Sequence, residues 1–192
     1  MTDMERIGVF ICWCGSNIAG TVDVHALVER LYALPGVEHA QNYMYMCSDP
    51  GQEIIRNAIR DKRLNRVVVA SCSPRMHERT FRKAAASVGL NPYLVEIANI
   101  REQCSWVHQG DKAAATDKAF NIISATIVKV RKNAALEAIR VPLTRRAMVV
   151  GAGVAGMSAA LELAGAGYET VVVERAERPG GKLLRLSRTF PH

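Results

Sequence analysis

The stretch Met148–Glu174, MVVGAGVAGMSAALELAGAGYETVVVE, constrains this chain more than any other. An apolar run leads into Gly151-x-Gly153-x-x-Gly156, a helix-forming segment follows, Gly167 ends it, Thr170–Val173 reads as a second strand, and Glu174 stands at its end. That order is a βαβ unit of the dinucleotide-binding kind. Gly151 permits the tight turn out of the strand, Gly153 lets backbone approach a pyrophosphate, and Gly156 lets the helix pack on the strand. The helix N-terminus offers free N–H groups and a partial positive charge to phosphates. Glu174 is placed to accept from both hydroxyls of an unphosphorylated ribose. FAD and NAD share this fingerprint. Arg178-Pro179-Gly180-Gly181-Lys182 favours FAD, because it resembles the second Gly-Gly turn of flavoproteins with two dinucleotide domains, where Gly181 and Lys182 pass close to the cofactor. The alternative for that segment is an ordinary Pro-Gly surface turn.

The unit begins near residue 147 of 192, so it is expected to open a domain that the chain does not finish. With 49% hydrophobic and 22% charged residues the chain is long enough for one full core and part of another. No apolar run approaches the ~20 residues of a membrane span, and MTDMERIG lacks the pattern of a signal peptide. The cytoplasm is therefore expected, with no membrane partner. The net charge of +7 is not gathered with aromatics into a nucleic-acid stripe. Lys129, Arg131, Lys132, Arg140, Arg145 and Arg146 read as a solvated connection, or as a surface for an acidic protein or cofactor phosphates.

Residues 1–143 read as a separate α/β domain, and 144–192 as the start of the nucleotide-binding one. Strands are expected at Ile7–Cys12, Val37–Met46, Arg66–Ser71 and Tyr93–Ile97. Helices are expected over Val22–Leu34, from Asp49 to about Leu64, from Ser73-Pro74 to Gly89, and over Asp111–Lys132. Asp49 is the expected cap of the second helix, with Pro50 in its first turn and Gln52 completing a capping box. Such alternation predicts a mostly parallel sheet with flanking helices. Cys14, Cys47, Cys72 and Cys104 then follow successive strands, along the edge where open α/β folds bind ligands.

Four thiols in a cytosolic protein are not expected to form disulfides. Converging, they suit a 4Fe-4S cluster or a structural zinc ion; the alternative is that most are buried, inert small hydrophobes. The separations are too wide for a ferredoxin-type Cys-x-x-Cys run. Cys12 and Cys14 share a strand face, so one is a ligand and the other its neighbour, or the pair is a redox disulfide. Cys14 is favoured as ligand because Gly15 lets the chain turn there. His77 and His108 read as ligands, as tuning residues, or as packing residues. Trp13 and Trp106 read as cluster shields or as core residues. No Ser-His-Asp or Cys-His nucleophile arrangement stands out.

The segments Gly8–Ile18 (GVFICWCGSNI), Tyr45–Gln52 (YMCSDPGQ), Val69–Glu78 (VASCSPRMHE) and Asn99–His108 (NIREQCSWVH), in this order before the glycine-rich turn, resemble the N-terminal region of the A subunit of heterodisulfide reductase. The resemblance covers essentially the whole chain. It implies an iron-sulfur flavoprotein, with FAD in a thioredoxin-reductase-like domain and several 4Fe-4S clusters, one of them in the N-terminal domain. It also implies flavin-based electron bifurcation, linking a hydrogenase or formate-dehydrogenase-type donor to ferredoxin and a disulfide acceptor. The implied partners are other heterodisulfide-reductase-type subunits, with a homodimer inside a larger complex. It places cluster ligands among Cys12, Cys14, Cys47, Cys72 and Cys104, and FAD contacts at Gly151, Gly153, Gly156 and Glu174. Members of that family continue past the equivalent of Thr189-Phe190-Pro191 into further cysteine clusters and nucleotide-binding segments. A fragment or split-gene product is therefore expected, acting in electron transfer and not catalytic by itself. The other expectations are a docking module whose cysteines bind zinc or nothing, and a small NAD-linked reductase, which the missing half of the nucleotide domain argues against.

Overall fold

The computed structural model describes residues 4–188; residues 1–3 and 189–192, Thr189-Phe190-Pro191 among them, lie outside the described residues. The chain divides into two compact units, Met1–Glu137 and Ala138–His192. The division falls within the segment 133–145, which has no regular secondary structure.

The first unit is a four-stranded parallel sheet built from β1 (Ile7–Cys12), β2 (Val37–Tyr43), β3 (Arg66–Ser71) and β4 (Val95–Asn99) in the order β2-β1-β3-β4. Every residue of β1 is buried, as a central strand covered on both faces requires. Its side chains alternate between two core layers. Ile7, Val9 and Ile11 point into a layer with Leu27, Leu31, Ile123 and Ile127. Phe10 and Cys12 point into the other, with Met46, Ile55, Ile59 and Phe81. The first layer is closed by α1 (Asn17–Thr21), α2 (Val24–Tyr32) and α5 (Lys112–Lys132); the second by α3 (Asp49–Asp61) and α4 (Pro74–Ala86).

Helix starts are fixed by short polar side chains that accept from orphan N–H groups. Asp23 accepts from Ala26 N at 3.1 Å and Asp111 from Ala114 N at 2.9 Å. The cap of α3 is Ser48, not the expected Asp49, because Ser48 holds the extended backbone of a cap residue (φ −70°, ψ 164°) and its hydroxyl faces Gly51 N at 3.4 Å. Gln52 does not complete a capping box; its Nε2 donates to Cys47 O at 2.9 Å. The far end of α5 is tied to β4 by Glu96, which accepts from Lys129 Nζ (2.7 Å) and Asn133 Nδ2 (2.8 Å).

Other limits differ from the expected ones for local reasons. The second strand stops at Tyr43, before a turn that carries Met44 to Cys47 toward α3. The expected helix over Val22–Leu34 begins only at Val24, since Val22 is extended and Asp23 serves as cap. Tyr93 lies in a short 3₁₀ turn, Pro92–Leu94, capped by Asn91, so β4 starts two residues later.

The second unit pairs β5 (Arg146–Val150) with β6 (Glu169–Val173) in parallel through α6 (Val154–Gly165). Gly167, with φ +83°, turns the chain out of α6, and its N–H bonds Ala164 O at 3.0 Å. Met148 and Val150 are 69% and 76% exposed, and no residue of α6 is buried.

Phe10 fills the centre of the α3–α4 layer, so Phe10→Ala is expected to cost about 3–5 kcal/mol of stability, measured as a lower midpoint in urea unfolding; an unchanged midpoint would contradict this packing.

Candidate functional site

Parallel strands all end on one edge, and the cysteines sit there. Cys12 closes β1, Cys14 lies two residues beyond before Gly15 turns with φ +62°, Cys47 precedes the cap of α3, and Cys72 lies between β3 and the start of α4. All five cysteines are free thiols. Cys12 is 3% exposed and donates to Met44 O at 3.5 Å. Burial pushes its thiol up to about 12, against opposing hydrogen bonds from the Met46 and Cys14 backbone, and the Cys14 charge adds to the rise. Burial also raises Cys47, where the Cys14 charge again adds. Cys72 is raised by burial, lowered by the Arg101 guanidinium, and raised again by Cys14, Glu102 and Cys47. Cys14 thus lies within electrostatic reach of Cys12, Cys47 and Cys72, and Cys47 within reach of Cys72.

Cys104 is placed apart from them. A π-helical turn, Arg101–Ser105, follows β4 and rotates this residue into the opposite core layer among Ala115, Ala119 and Ile123. Its thiol is fully buried and donates to Ala115 O at 3.1 Å; burial raises its pKa, opposed by Lys118.

The loops that carry the grouped thiols are tightly held. A Cβ on Gly51 would overlap the carbonyls of Tyr45 and Met46, so the turn before Cys47 can lie against α3 only over a glycine. Gln52 then pins the Cys47 carbonyl. Among the described residues no three His, Cys, Asp or Glu side chains converge closely enough for a single metal ion. A cubane cluster asks for something different, since each thiolate binds its own iron and the sulfurs surround a cage. Three thiols, Cys12, Cys47 and Cys72, that each sense the charge of Cys14, with the starts of α3 and α4 directly after Cys47 and Cys72, suit that donor set.

The neighbouring residues are placed as follows. His77 stacks edge-on against Phe81, with ring centroids 6.3 Å apart. His108 caps the π turn through its backbone, its N–H bonding Cys104 O at 3.1 Å. Trp13 Nε1 donates to Asn42 Oδ1 (3.0 Å) and packs on the α2–α5 layer. Trp106 Nε1 donates to Asn17 Oδ1 (3.2 Å), and the Arg101 guanidinium lies over its ring. Arg101 and Glu102 also belong to the cysteine edge. Their mark in the sequence is an Arg-Glu pair one residue past a strand end.

In the second unit, Gly151 has φ +102° and its N–H bonds Val173 O at 2.7 Å. Gly153 caps α6. A Cβ on Gly156 would overlap Gly151 O, so helix and turn meet only because that residue is glycine. Gly180 N–H donates to Ala152 O at 2.7 Å, which folds the second Gly-Gly turn back onto the first. The two enclose a pocket of about 410 Å³ lined by Gly151, Gly153, Gly156, Lys182 and Leu183, at the start of α6. An open helix start with a lysine beside it can hold a pyrophosphate. Glu174 holds this turn from the inside, with Oε2 accepting from Ala152 N (2.7 Å) and Oε1 from Ala176 N (2.9 Å). Those bonds, Ala176 first, hold its carboxyl below the usual range.

A parallel α/β sheet followed by a glycine-turn βαβ unit defines an α/β protein of Rossmann-like kind, and residues 149–188 match the NAD(P)-binding Rossmann-like domain family. Over 186 residues, 97% of its length, the chain is 52% identical to the second iron-sulfur A subunit of the CoB--CoM heterodisulfide reductase of Methanopyrus kandleri, covering 28% of that protein. It is 49% identical to the A subunit of the ferredoxin/F(420)H(2)-dependent CoB-CoM heterodisulfide reductase of Methanosarcina acetivorans, covering 24% of it. It is 47% identical to the A subunit of the H(2):CoB-CoM heterodisulfide,ferredoxin reductase of Methanothermobacter thermautotrophicus, covering 28%. The chain belongs to the family of heterodisulfide reductase A subunits and corresponds to the N-terminal portion of these proteins. It spans about a quarter of the length of these relatives. Among the described residues no helix is long and apolar enough to cross a membrane.

Gly156→Ala is expected to force α6 away from the turn, read as a lower melting temperature; an unchanged melting temperature would contradict the contact. Because the folded pKa of Glu174 is depressed, its contribution is present above the unfolded value of about 4.3 and is lost as pH falls through the folded one. In an NMR titration its carboxyl should titrate below about 4.3, with the Ala152 and Ala176 amides shifting in step. Titration at the ordinary value would mean these bonds are absent in solution.

Proposed function

We propose that this chain is the cluster-bearing, nucleotide-entry portion of a cytoplasmic electron-transfer flavoprotein of the heterodisulfide reductase type. The observation that carries this reading is the placement of Cys12, Cys14, Cys47 and Cys72 on the edge where parallel strands end, with Cys12, Cys47 and Cys72 each sensing the charge of Cys14. These four would hold a 4Fe-4S cluster, and Cys104 is a core thiol. Gly151, Gly153, Gly156, Gly181 and Lys182 would hold the pyrophosphate of FAD. When bound, the cluster supplies one-electron transfer and the flavin both one- and two-electron chemistry.

The chain's own residues do the positioning. Ser48 and Ser73 cap helices directly after Cys47 and Cys72, which brings the starts of α3 and α4 to the thiol edge. Gln52 and Gly51 fix the Cys47 turn, and burial of Cys12 keeps bulk water from the inner side of the site. Glu174 orders the nucleotide turn through Ala152 N, leaving lone pairs on both oxygens for ribose hydroxyls. The partners that fit the relatives' names are other heterodisulfide reductase subunits and ferredoxin, with a hydrogenase or formate-dehydrogenase-type donor in the assembled complex. Electron bifurcation belongs to that assembly.

A docking module whose cysteines bind zinc or nothing is the second reading; that no three His, Cys, Asp or Glu side chains converge among the described residues favours its metal-free form. Iron and acid-labile sulfide analysis of the anaerobically purified chain decides between the two. About four of each per chain are expected, lost in Cys72→Ala and retained in Cys104→Ala. Absence of iron after anaerobic reconstitution would overturn the cluster reading.

A further inference from the structure

We propose that Arg101 sets the reduction potential of the centre held at the cysteine edge, its fixed guanidinium beside Cys72 stabilising the electron-rich form. This inference rests on the cluster reading given above. Placement comes from the sheet register. Ser71 pairs with Asn99, and Ile100 N–H donates to Ser71 O at 2.9 Å, so the segments that leave β3 and β4 depart side by side. Cys72 is the first residue of one of them and Arg101 the second of the other.

Arg101 is held in place as few surface arginines are. Its Nε and Nη2 both donate to Glu102 Oε1, at 3.2 and 2.7 Å. Nη2 also lies 3.3 Å from Met76 Sδ, on the helix that starts just after Cys72, and the guanidinium carbon is 5.1 Å from the centre of the Trp106 ring. The side chain is 17% exposed. A planar cation gripped on three sides and largely out of water keeps its field, which bulk solvent would otherwise screen.

Glu102 lies one residue further from the strand end than Arg101, so along the chain Arg101 stands nearer to Cys72. Glu102 spends one oxygen on Arg101, and its buried Oε2 has no hydrogen-bond partner. One-electron reduction brings one electron from an external low-potential donor and makes or breaks no bond in the protein. It adds one negative charge, which a fixed cation favours and a neighbouring carboxylate disfavours. Arg101 therefore raises the potential and Glu102 lowers it.

The test is a dithionite redox titration, followed by electron paramagnetic resonance, of the anaerobically loaded full chain as wild type, Arg101→Gln, Arg101→Lys and Glu102→Gln, each with its iron content measured first. Arg101→Gln is expected to make reduction about tenfold less favourable, a midpoint lower by about 59 mV for one electron. Arg101→Lys should recover most of that shift, and Glu102→Gln should move the midpoint upward. A purely structural tie between Arg101 and Glu102 would not give shifts of opposite sign. If Arg101→Gln does not fold, the upward shift of Glu102→Gln still carries the inference. A fully loaded wild type whose midpoint is unmoved in the variants, or moves in the same direction in both, overturns it while leaving the cluster reading intact. Wild-type chain that binds no iron overturns the cluster reading itself and this inference with it.

Discussion

The hydrogen-bond ladder that seats β1 between β2 and β3, all running the same way, is the constraint on which the rest of the first unit depends. Parallel pairing obliges the chain to return on the far side of the sheet after each strand, which creates the helices on both faces and buries β1 completely. The same pairing gives the sheet a direction. All four strands end on one side, and the cysteines that follow β1, β2 and β3, far apart in sequence, lie along it. Chemistry at that edge follows from topology before any side chain is considered.

The second unit has a different physical basis. Its turn is held by a close approach that only glycine allows, Gly156 against Gly151 O, and by the hydrogen bond from Gly180 N to Ala152 O. Glu174 joins the turn to the end of β6 through two amides.

Much of this was legible in the sequence because local signals and tertiary needs agree. The limits of β1 and β3 coincide with their apolar runs, α5 starts at the Asp111 cap, and the spacing of Gly151, Gly153 and Gly156 names its own turn. What could not be read locally was orientation. Ser48 rather than Asp49 caps α3 because the backbone at Ser48 is extended, a property of the turn after β2. Cys104 follows its strand as the other cysteines do, yet a π turn carries it to the other side of the sheet, and the residues Arg-Glu-Gln-Cys-Ser do not announce one. The importance of Arg101 appears only once β3 and β4 are known to be neighbours.

The sulfur of Cys104 is sealed between α5 and the sheet and is bonded to a carbonyl of that helix, so a reagent reaches it only when α5 lifts away. The molecule therefore carries a natural gauge of its own opening. The rate at which this one sulfur becomes labelled counts how often the long helix departs, separately from whatever occupies the thiols at the strand ends.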